Sequence, residues 1–152
     1  MGDATLKQKA HEEMTAALRA GERVRLGALR MFVAAITNRE KELRRELSDD
    51  EVREVAAKEV KRRLESIEAF ESAGRLELAE RERAEREVLE PYAPEQLDEA
   101  AIDALIDDAI ASTGATSVKE MGKVMGAVMP RVGGRADGAR VSRVVREKLT
   151  AS

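Results

Sequence analysis

Hydrophobic residues recur every three or four positions along almost the whole chain. In the first segment Leu6, Ala10 and Met14 follow this spacing, which is the period of one face of an α-helix. Gly21 then follows as a residue typical of a helix C-terminus. The pattern predicts a first helix over residues 3–20.

The next two segments have the same period. A helix over residues 22–45 carries an apolar stripe made of Leu26, Leu29, Val33, Ile36, Leu43 and Leu47. Ser48 and Glu51 form the sequence signature of a capping box, in which each side chain binds the other residue's amide. This signature predicts the start of a third helix, which ends near residues 73–74 and buries Val52, Ala56, Val60, Leu64, Ile67 and Phe70.

A fourth helix is predicted over residues 76–89, and two prolines follow it. Pro91 and Pro94 lack amide donors and bias the residues before them towards extended backbone. We therefore expect a helical N-terminal domain of about four helices over residues 1–90 and a Pro-rich joint over residues 91–97.

The last third of the chain predicts three shorter helices. They cover residues 98–113, 117–132 and 137–149, with a second capping box expected between Ser117 and Glu120. Three amphipathic helices of this length form a small bundle. The predicted fold is thus all-α, with a C-terminal three-helix domain over residues 98–152.

The composition agrees with an all-α fold and restricts the function. Hydrophobic residues make up 43% of the 152 residues, but the chain has only two Phe, one Tyr and no Trp, so its core must be aliphatic. The absence of cysteine excludes disulfides and thiolate nucleophiles. No apolar run approaches the ~20 residues that span a bilayer. We therefore expect a soluble, cytoplasmic protein that makes no membrane contact.

The C-terminal segment differs from the rest of the chain in charge and in glycine content. Residues 114–152 contain eight basic and three acidic residues, a net charge of +5, whereas the whole chain is at −3. Six of the ten glycines also lie there. A local positive field on a small helical unit is typical of a surface that binds phosphates. The candidate phosphate-binding residues are Lys119, Gly122, Lys123, Gly126, Gly134, Arg135, Gly138, Arg140 and Arg143.

Two interpretations of this segment remain open. In the first, the free amides at the start of the last helix, next to Asp137, hold a phosphate that the arginines surround. In the second, Gly133 and Gly134 form an ordinary turn, and Asp137 is an ordinary helix cap. Gly122 and Gly126, four residues apart, allow another helix or an RNA backbone to come near, and we expect close helix packing. A glycine inside a helix costs ~0.8–1.0 kcal/mol, which indicates some compensation without identifying it.

Catalytic chemistry finds little support in the sequence. His11 is the single histidine, and its neighbours Glu12 and Glu13 indicate a solvated helix surface. No nucleophile elbow, phosphate-binding Gly-rich loop with its lysine, or metal-ligand spacing is present. We expect no catalytic residue, no metal and no cofactor.

Taken together, several short motifs resemble the GatB/YqeY family over nearly the full chain. They are Leu29-Arg30-Met31, Asn38-Arg39-Glu40, Leu47-Ser48-Asp49, Ser66-Ile67-Glu68-Ala69-Phe70, Ala73-Gly74-Arg75, Pro91-Tyr92-Ala93-Pro94, Met121-Gly122-Lys123-Val124-Met125-Gly126 and Gly134-Arg135-Ala136-Asp137-Gly138.

The resemblance implies a helical domain followed by a domain similar to the tail of the B subunit of the tRNA-dependent amidotransferase, which grips tRNA. It extends to Gly122, Lys123, Gly126, Gly134, Arg135 and Gly138. The implied partners are tRNA and an aminoacyl-tRNA synthetase or amidotransferase. The family label of carbon-nitrogen ligase activity with glutamine as amido-N-donor belongs to the larger enzyme, so we expect no catalysis by this chain alone. The alternative is a helical adaptor that binds other proteins.

Overall fold

The computed structural model describes residues 4–151, and within them every regular element is a helix. The predicted all-α fold is confirmed. The α-helices are α1 (Leu6–Ala20), α2 (Arg23–Leu43), α3 (Asp49–Ser72), α4 (Leu76–Leu89), α5 (Glu99–Thr113), α6 (Met121–Val132) and α7 (Gly138–Thr150). The start predicted for the first helix, residue 3, lies outside the described residues.

Most helices begin and end close to the residues that the local sequence predicts. The amide of Glu51 donates to Ser48 Oγ at 3.2 Å, and the amide of Ser48 donates back to Glu51 Oε1 at 3.0 Å, which completes the expected capping box of α3. Gly21 takes a left-handed conformation with φ of 71° and ends α1. Glycine adopts this conformation without steric cost because it has no Cβ.

Two details of the last third differ from the prediction. Ser117 makes no side-chain cap and precedes a single 3₁₀ turn, Val118–Glu120, so α6 begins at Met121. The Glu120 carboxylate instead accepts from the amide and the hydroxyl of Thr116, at 3.4 and 3.3 Å. The predicted capping box is therefore wrong, because the Glu120 carboxylate binds Thr116 and not the amide of Ser117.

The chain divides into two compact units, Met1–Pro94 and Glu95–Ser152. The division falls inside the Pro-rich joint. The independent domains expected over residues 1–90 and 98–152 stay a prediction, because compactness alone does not show independent folding.

The first unit packs α1 to α4 around an aliphatic core that includes one aromatic pair. Phe32 of α2 and Tyr92, which follows α4 in a short 3₁₀ turn, have ring centroids 5.0 Å apart and planes tilted by 57°. One predicted core position of α3 is wrong. Leu64 is 40% exposed, and the neighbouring Arg63 is 3% exposed in its place.

The second unit packs α5, α6 and α7 around a core without aromatic residues. Its buried side chains are aliphatic and come from all three helices, among them Ile102, Ile106, Val124, Val128 and Val145. The segment before α5 is tied to the α6–α7 turn, since the Leu97 amide donates to the Arg135 carbonyl at 2.7 Å.

Candidate functional site

One face of α6 and of the turn before it carries lysines next to glycines, where no side chain covers the helix backbone. Lys119, Gly122, Lys123 and Gly126 are all exposed, and their spacing of three and four residues places them along one stripe. A Cβ atom built on either glycine would meet no atom within 4 Å. The close packing that we expected for these glycines is therefore wrong within the described residues.

The two glycines have an energetic consequence. Each lowers the helix propensity by ~0.8–1.0 kcal/mol relative to alanine. No contact inside the unit compensates for this cost, because both positions face open space. The backbone of α6 is thus open to close approach by another molecule.

The lysines on this face are available for external contacts. In the described part of the chain, neither Lys119 nor Lys123 forms an ion pair or a side-chain hydrogen bond. The same is true of Arg143 and Arg146 on α7, which are both exposed. These four cations and Arg135, whose guanidinium binds backbone carbonyls, are the ones in the second unit that no carboxylate of the described residues neutralises.

Other cations of the second unit are held by the acidic helix α5. Arg140 Nη2 lies 3.3 Å from Glu99 Oε1, and Lys148 Nζ lies 3.0 Å from Asp107 Oδ1. The hydrogen bond with Asp107 raises the pKa of Lys148. With α5 included, residues 95–152 carry eight basic and nine acidic residues, a net charge of −1. The positive surface is therefore confined to cations that α5 does not reach.

Arg135 stabilises the end of α6. Its Nη2 donates to the Arg131 carbonyl at 2.7 Å, and its Nε donates to the Val132 carbonyl at 3.1 Å. These carbonyls have no helical partner, so the guanidinium acts as a C-terminal cap. In this arrangement the Arg135 guanidinium is held by backbone carbonyls of its own unit.

The glycines of the α6–α7 turn and of the start of α7 also have roles inside the unit. Gly134 has φ of 81°, a left-handed conformation that favours glycine. A Cβ on Gly138 would lie 3.6 Å from the methyl carbon of Met129, which is an ordinary packing contact.

The N-terminus of α7 already carries an anion. The Asp137 carboxylate accepts from the Ala139 amide at 3.1 Å. This negative group disfavours a second anion at the same helix end, where the partial positive charge would otherwise attract a phosphate. Asp137 therefore caps α7 in this structure, and phosphate binding at this helix end stays a prediction.

The candidate residues thus separate into two groups. Lys119, Gly122, Lys123 and Gly126 share one exposed face, which we call the α6 face. Arg143 lies on α7 beside Arg146, a residue that the sequence analysis did not select although it follows Arg143 by three positions. Gly134, Arg135, Gly138 and Arg140 contribute to the internal structure of the unit.

A protein-family model described as "Yqey-like protein" matches residues 7–149 of this chain. The chain belongs to the Yqey-like family. A similar protein, "Altered inheritance of mitochondria protein 41, mitochondrial" from Pyrenophora tritici-repentis (strain Pt-1C-BFP), is 32% identical over 138 residues, which cover 89% of this chain and 76% of the relative. The family resemblance noted in the sequence is confirmed.

Location is not decided by these findings. No helix among residues 4–151 is long and apolar enough to cross a membrane. The relative's name assigns that protein to mitochondria, so the cytoplasmic location expected for this Yqey-like chain stays a prediction. Within the same residues no three His, Asp or Glu side chains are grouped to hold a metal ion.

The first unit also contains a buried charged cluster that the sequence patterns were not expected to form. Arg63 Nη1 lies 2.9 Å from Glu59 Oε2, and Arg63 Nε lies 3.4 Å from Glu85 Oε2 on α4. The signal was present in the periodicity, because positions 59 and 63 fall in the same helical stripe as Val52, Ala56 and Ile67.

Proposed function

We propose that this Yqey-like protein binds tRNA through the sugar-phosphate backbone, with the α6 face of its second unit, and catalyses no reaction on its own. The observation that carries the proposal is the pair Lys119 and Lys123, free of carboxylate partners in the described structure, beside a helix backbone left bare by Gly122 and Gly126. Lysine is a compact cation suited to phosphate oxygens. The resemblance to a tRNA-gripping tail domain supports the choice of tRNA over other polyanions.

The composition of the second unit supports contact with the backbone over base readout. Phe32, Phe70 and Tyr92 are the aromatic residues of the chain, and all three precede residue 95. Readers of single-stranded RNA usually stack bases on aromatic rings. A unit without such rings has to recognise RNA by shape, phosphates and ribose hydroxyls.

The bare helix face suits this mode of binding. Side chains at positions 122 and 126 would hold an RNA strand away from α6 by the width of at least a methyl group. With glycine at both positions, the lysines on the same face are able to reach phosphates while the strand lies against the helix. A protein that binds tRNA and catalyses no reaction would have an accessory role. An aminoacyl-tRNA synthetase or an amidotransferase would then catalyse the reaction on the bound tRNA.

Filter binding with bulk tRNA tests the proposal. The double variant Lys119→Glu/Lys123→Glu is compared with Lys9→Glu/Lys58→Glu, which changes the net charge equally in the first unit at two exposed lysines without ion pairs. We expect at least tenfold weaker binding for the first variant and little change for the second. Equal losses in both variants would show that only net charge matters and would refute the α6 face.

The salt dependence gives an independent measurement. Each neutralised phosphate contributes ~0.7–0.9 to the slope of log K against log salt. Loss of two contacts in Lys119→Glu/Lys123→Glu should therefore reduce the slope by roughly 1.4–1.8. An unchanged slope would contradict direct contact between these lysines and phosphates.

The RNA carried from cells identifies the ligand. With one Tyr and no Trp, the protein absorbs very little at 280 nm, so copurifying RNA dominates the absorbance spectrum. Sequencing of the small RNA recovered with the wild-type protein, but not with Lys119→Glu/Lys123→Glu, would name the tRNA. Recovery of the same RNA with both proteins would point to a different binding surface.

A further inference from the structure

A groove in the first unit lies between α2, α3 and α4 and has a volume of about 400 Å³. Its apolar floor is made by Met31, Phe70 and Leu78, and its charged rim includes Arg62 and Arg81. Met31 and Leu78 are among the exposed large hydrophobic residues of the chain. We call this region the α3–α4 groove.

Arg63 lies at the base of the groove with its charge buried. Its Nη1 donates to the carboxylate and to the carbonyl of Glu59, at 2.9 and 3.0 Å, and its Nη2 lies 3.6 Å from Met31 Sδ. The Nε atom is buried and meets no hydrogen-bond geometry in the described structure, but it lies 3.4 Å from Glu85 Oε2 and so forms an ion pair with that carboxylate.

The carboxylates under the groove are already used by Arg63. Glu59 is buried and Glu85 is largely buried, and both face the Arg63 guanidinium. By contrast, the side chains of Arg62 and Arg81 are 65% and 69% exposed, and their nearest carboxylate oxygens lie 3.5 and 3.9 Å away. Arg62 and Arg81 therefore point outward, while Glu59 and Glu85 are internal.

The rim of the groove is positive on an acidic unit. Three arginines and two glutamates line the groove, and the buried Glu59 pairs with Arg62 and Arg63, so the exposed positive charge is that of the rim. Residues 1–94 as a whole contain 19 basic and 21 acidic residues, a net charge of −2. A partner attracted to this place must therefore carry negative charge near the rim and apolar groups over the floor.

We infer that the α3–α4 groove is a docking site for an acidic amphipathic segment of a partner protein. A large apolar side chain of that segment would cover Met31, Phe70 and Leu78, and carboxylates on both sides of it would pair with Arg62 and Arg81. A peptide fits better than a nucleic acid here, because the floor of Met31, Phe70 and Leu78 is apolar and a sugar-phosphate backbone offers no apolar group to cover it. Methionine suits such a floor, since its flexible side chain adapts to different apolar partners. The inference does not depend on tRNA binding by the second unit.

Selection from a library of random 16-residue peptides displayed on phage tests this inference with the full-length protein. The selected peptides are expected to carry Asp or Glu on both sides of Leu, Met or Phe. Arg62→Glu/Arg81→Glu should bind them at least tenfold more weakly. Arg23→Glu/Arg75→Glu is the matched control, because both arginines are exposed at helix starts outside the groove, and it should bind them as the wild type does.

The NMR signal of the Met31 methyl group reports where the peptide binds. In protein labelled with ¹³C at the methionine methyl groups, the Met31 signal should shift on addition of a selected peptide and stay in place on addition of bulk tRNA. Met31→Lys places a charge on the floor and leaves the rim intact, and it should weaken peptide binding at least tenfold. Circular dichroism verifies that each variant keeps the helical fold.

Four results would overturn the inference. They are a selection without a shared acidic and apolar pattern, a basic pattern, equal binding by Arg62→Glu/Arg81→Glu and the wild type, and a Met31 signal that responds to tRNA but not to peptide. None of these results bears on Lys119 and Lys123, so the two proposals fail separately.

Discussion

A buried guanidinium on α3 combines a structural and a functional role. Arg63 pairs with Glu59 of its own helix and links α3 to α4 through Glu85, and it also forms the base of the α3–α4 groove. Buried ion pairs rarely add much stability compared with apolar residues of the same size. Removal of one partner is costly, however, because the remaining charges lose their counterpart in a dry environment.

Arg63→Ala is expected to destabilise the protein strongly. The substitution leaves Glu59 and Glu85 without their buried cation, and such losses cost roughly 3–5 kcal/mol. Arg62→Ala, at the exposed neighbouring position, should cost only about 0–1 kcal/mol. Urea unfolding followed by circular dichroism at 222 nm measures both, and similar losses would contradict the assignment of Arg63 to the core.

Tyr92 allows a pH prediction because it is the single tyrosine. Burial of its side chain raises the pKa of the Tyr92 hydroxyl, and the nearby Glu13 carboxylate raises the pKa further. The neutral phenol therefore stabilises the fold fully below pH 10, the ordinary tyrosine value, and this contribution is lost as the pH rises towards the higher pKa of the folded state.

Absorbance at 295 nm during an alkaline titration checks this expectation. Ionisation in the folded protein should begin above pH 10 and accompany loss of helicity, whereas the urea-unfolded chain should titrate near 10. Glu13→Gln should bring the folded-state titration to lower pH. A wild-type protein that ionises near pH 10 with its helices intact would show that Tyr92 is accessible to solvent.

At the level of elements, helix positions were predictable and individual contacts were less so. Ser48 and Glu51 form the capping box that their spacing predicts, but Ser117 and Glu120, with the same spacing, do not. The difference lies in Thr116, whose amide and hydroxyl both bind the Glu120 carboxylate. Periodicity likewise selected Leu64 for the core, since sequence alone does not reveal that Glu85 of α4 holds Arg63 inside.

The glycines of α6 link helix stability to binding. Gly122 and Gly126 lie in regular helix with open space around them, so Gly122→Ala/Gly126→Ala should raise the free energy of unfolding by about 0.5–1 kcal/mol per site. The added methyl groups should also weaken tRNA binding by keeping the strand from the backbone. Urea unfolding and filter binding on the same variant measure the two effects.

Gly21→Ala serves as the contrast for this variant. Its φ of 71° is strained for alanine, so the same substitution should destabilise α1 and leave tRNA binding unchanged. A Gly122→Ala/Gly126→Ala protein that is more stable and binds tRNA as tightly as the wild type would remove the reason for exposed glycines on α6.

For the whole molecule, charge was the property least predictable from local sequence. Residues 114–152 have a net charge of +5, yet the second unit has a net charge of −1 because it also contains the six acidic residues of segment 95–113. Arg140 and Glu99 are 41 positions apart in sequence, so their pairing depends on the fold of the bundle. The aliphatic core and the end of α4 before Pro91 were predictable, because both depend on composition and local backbone chemistry.

Each compact unit has a core of its own, so each is expected to fold alone. Fragments 1–94 and 95–152 should both give helical circular dichroism spectra and cooperative thermal unfolding. The shorter fragment should be the less stable, because a domain of about 60 residues buries only ≈ 60% of its unfolded surface. A fragment that stays unfolded while the full chain folds would refute the two-domain prediction.

The acidic helix α5 has a consequence for selectivity. Its carboxylates form ion pairs with Arg131, Arg140 and Lys148, as a bound polyanion would. Few cations of the second unit therefore remain available for an external polyanion. Heparin columns retain proteins that offer broad basic surfaces, so this protein should pass through them at moderate ionic strength. Helix α5 thus lowers the affinity of the protein for polyanions that bind by charge alone.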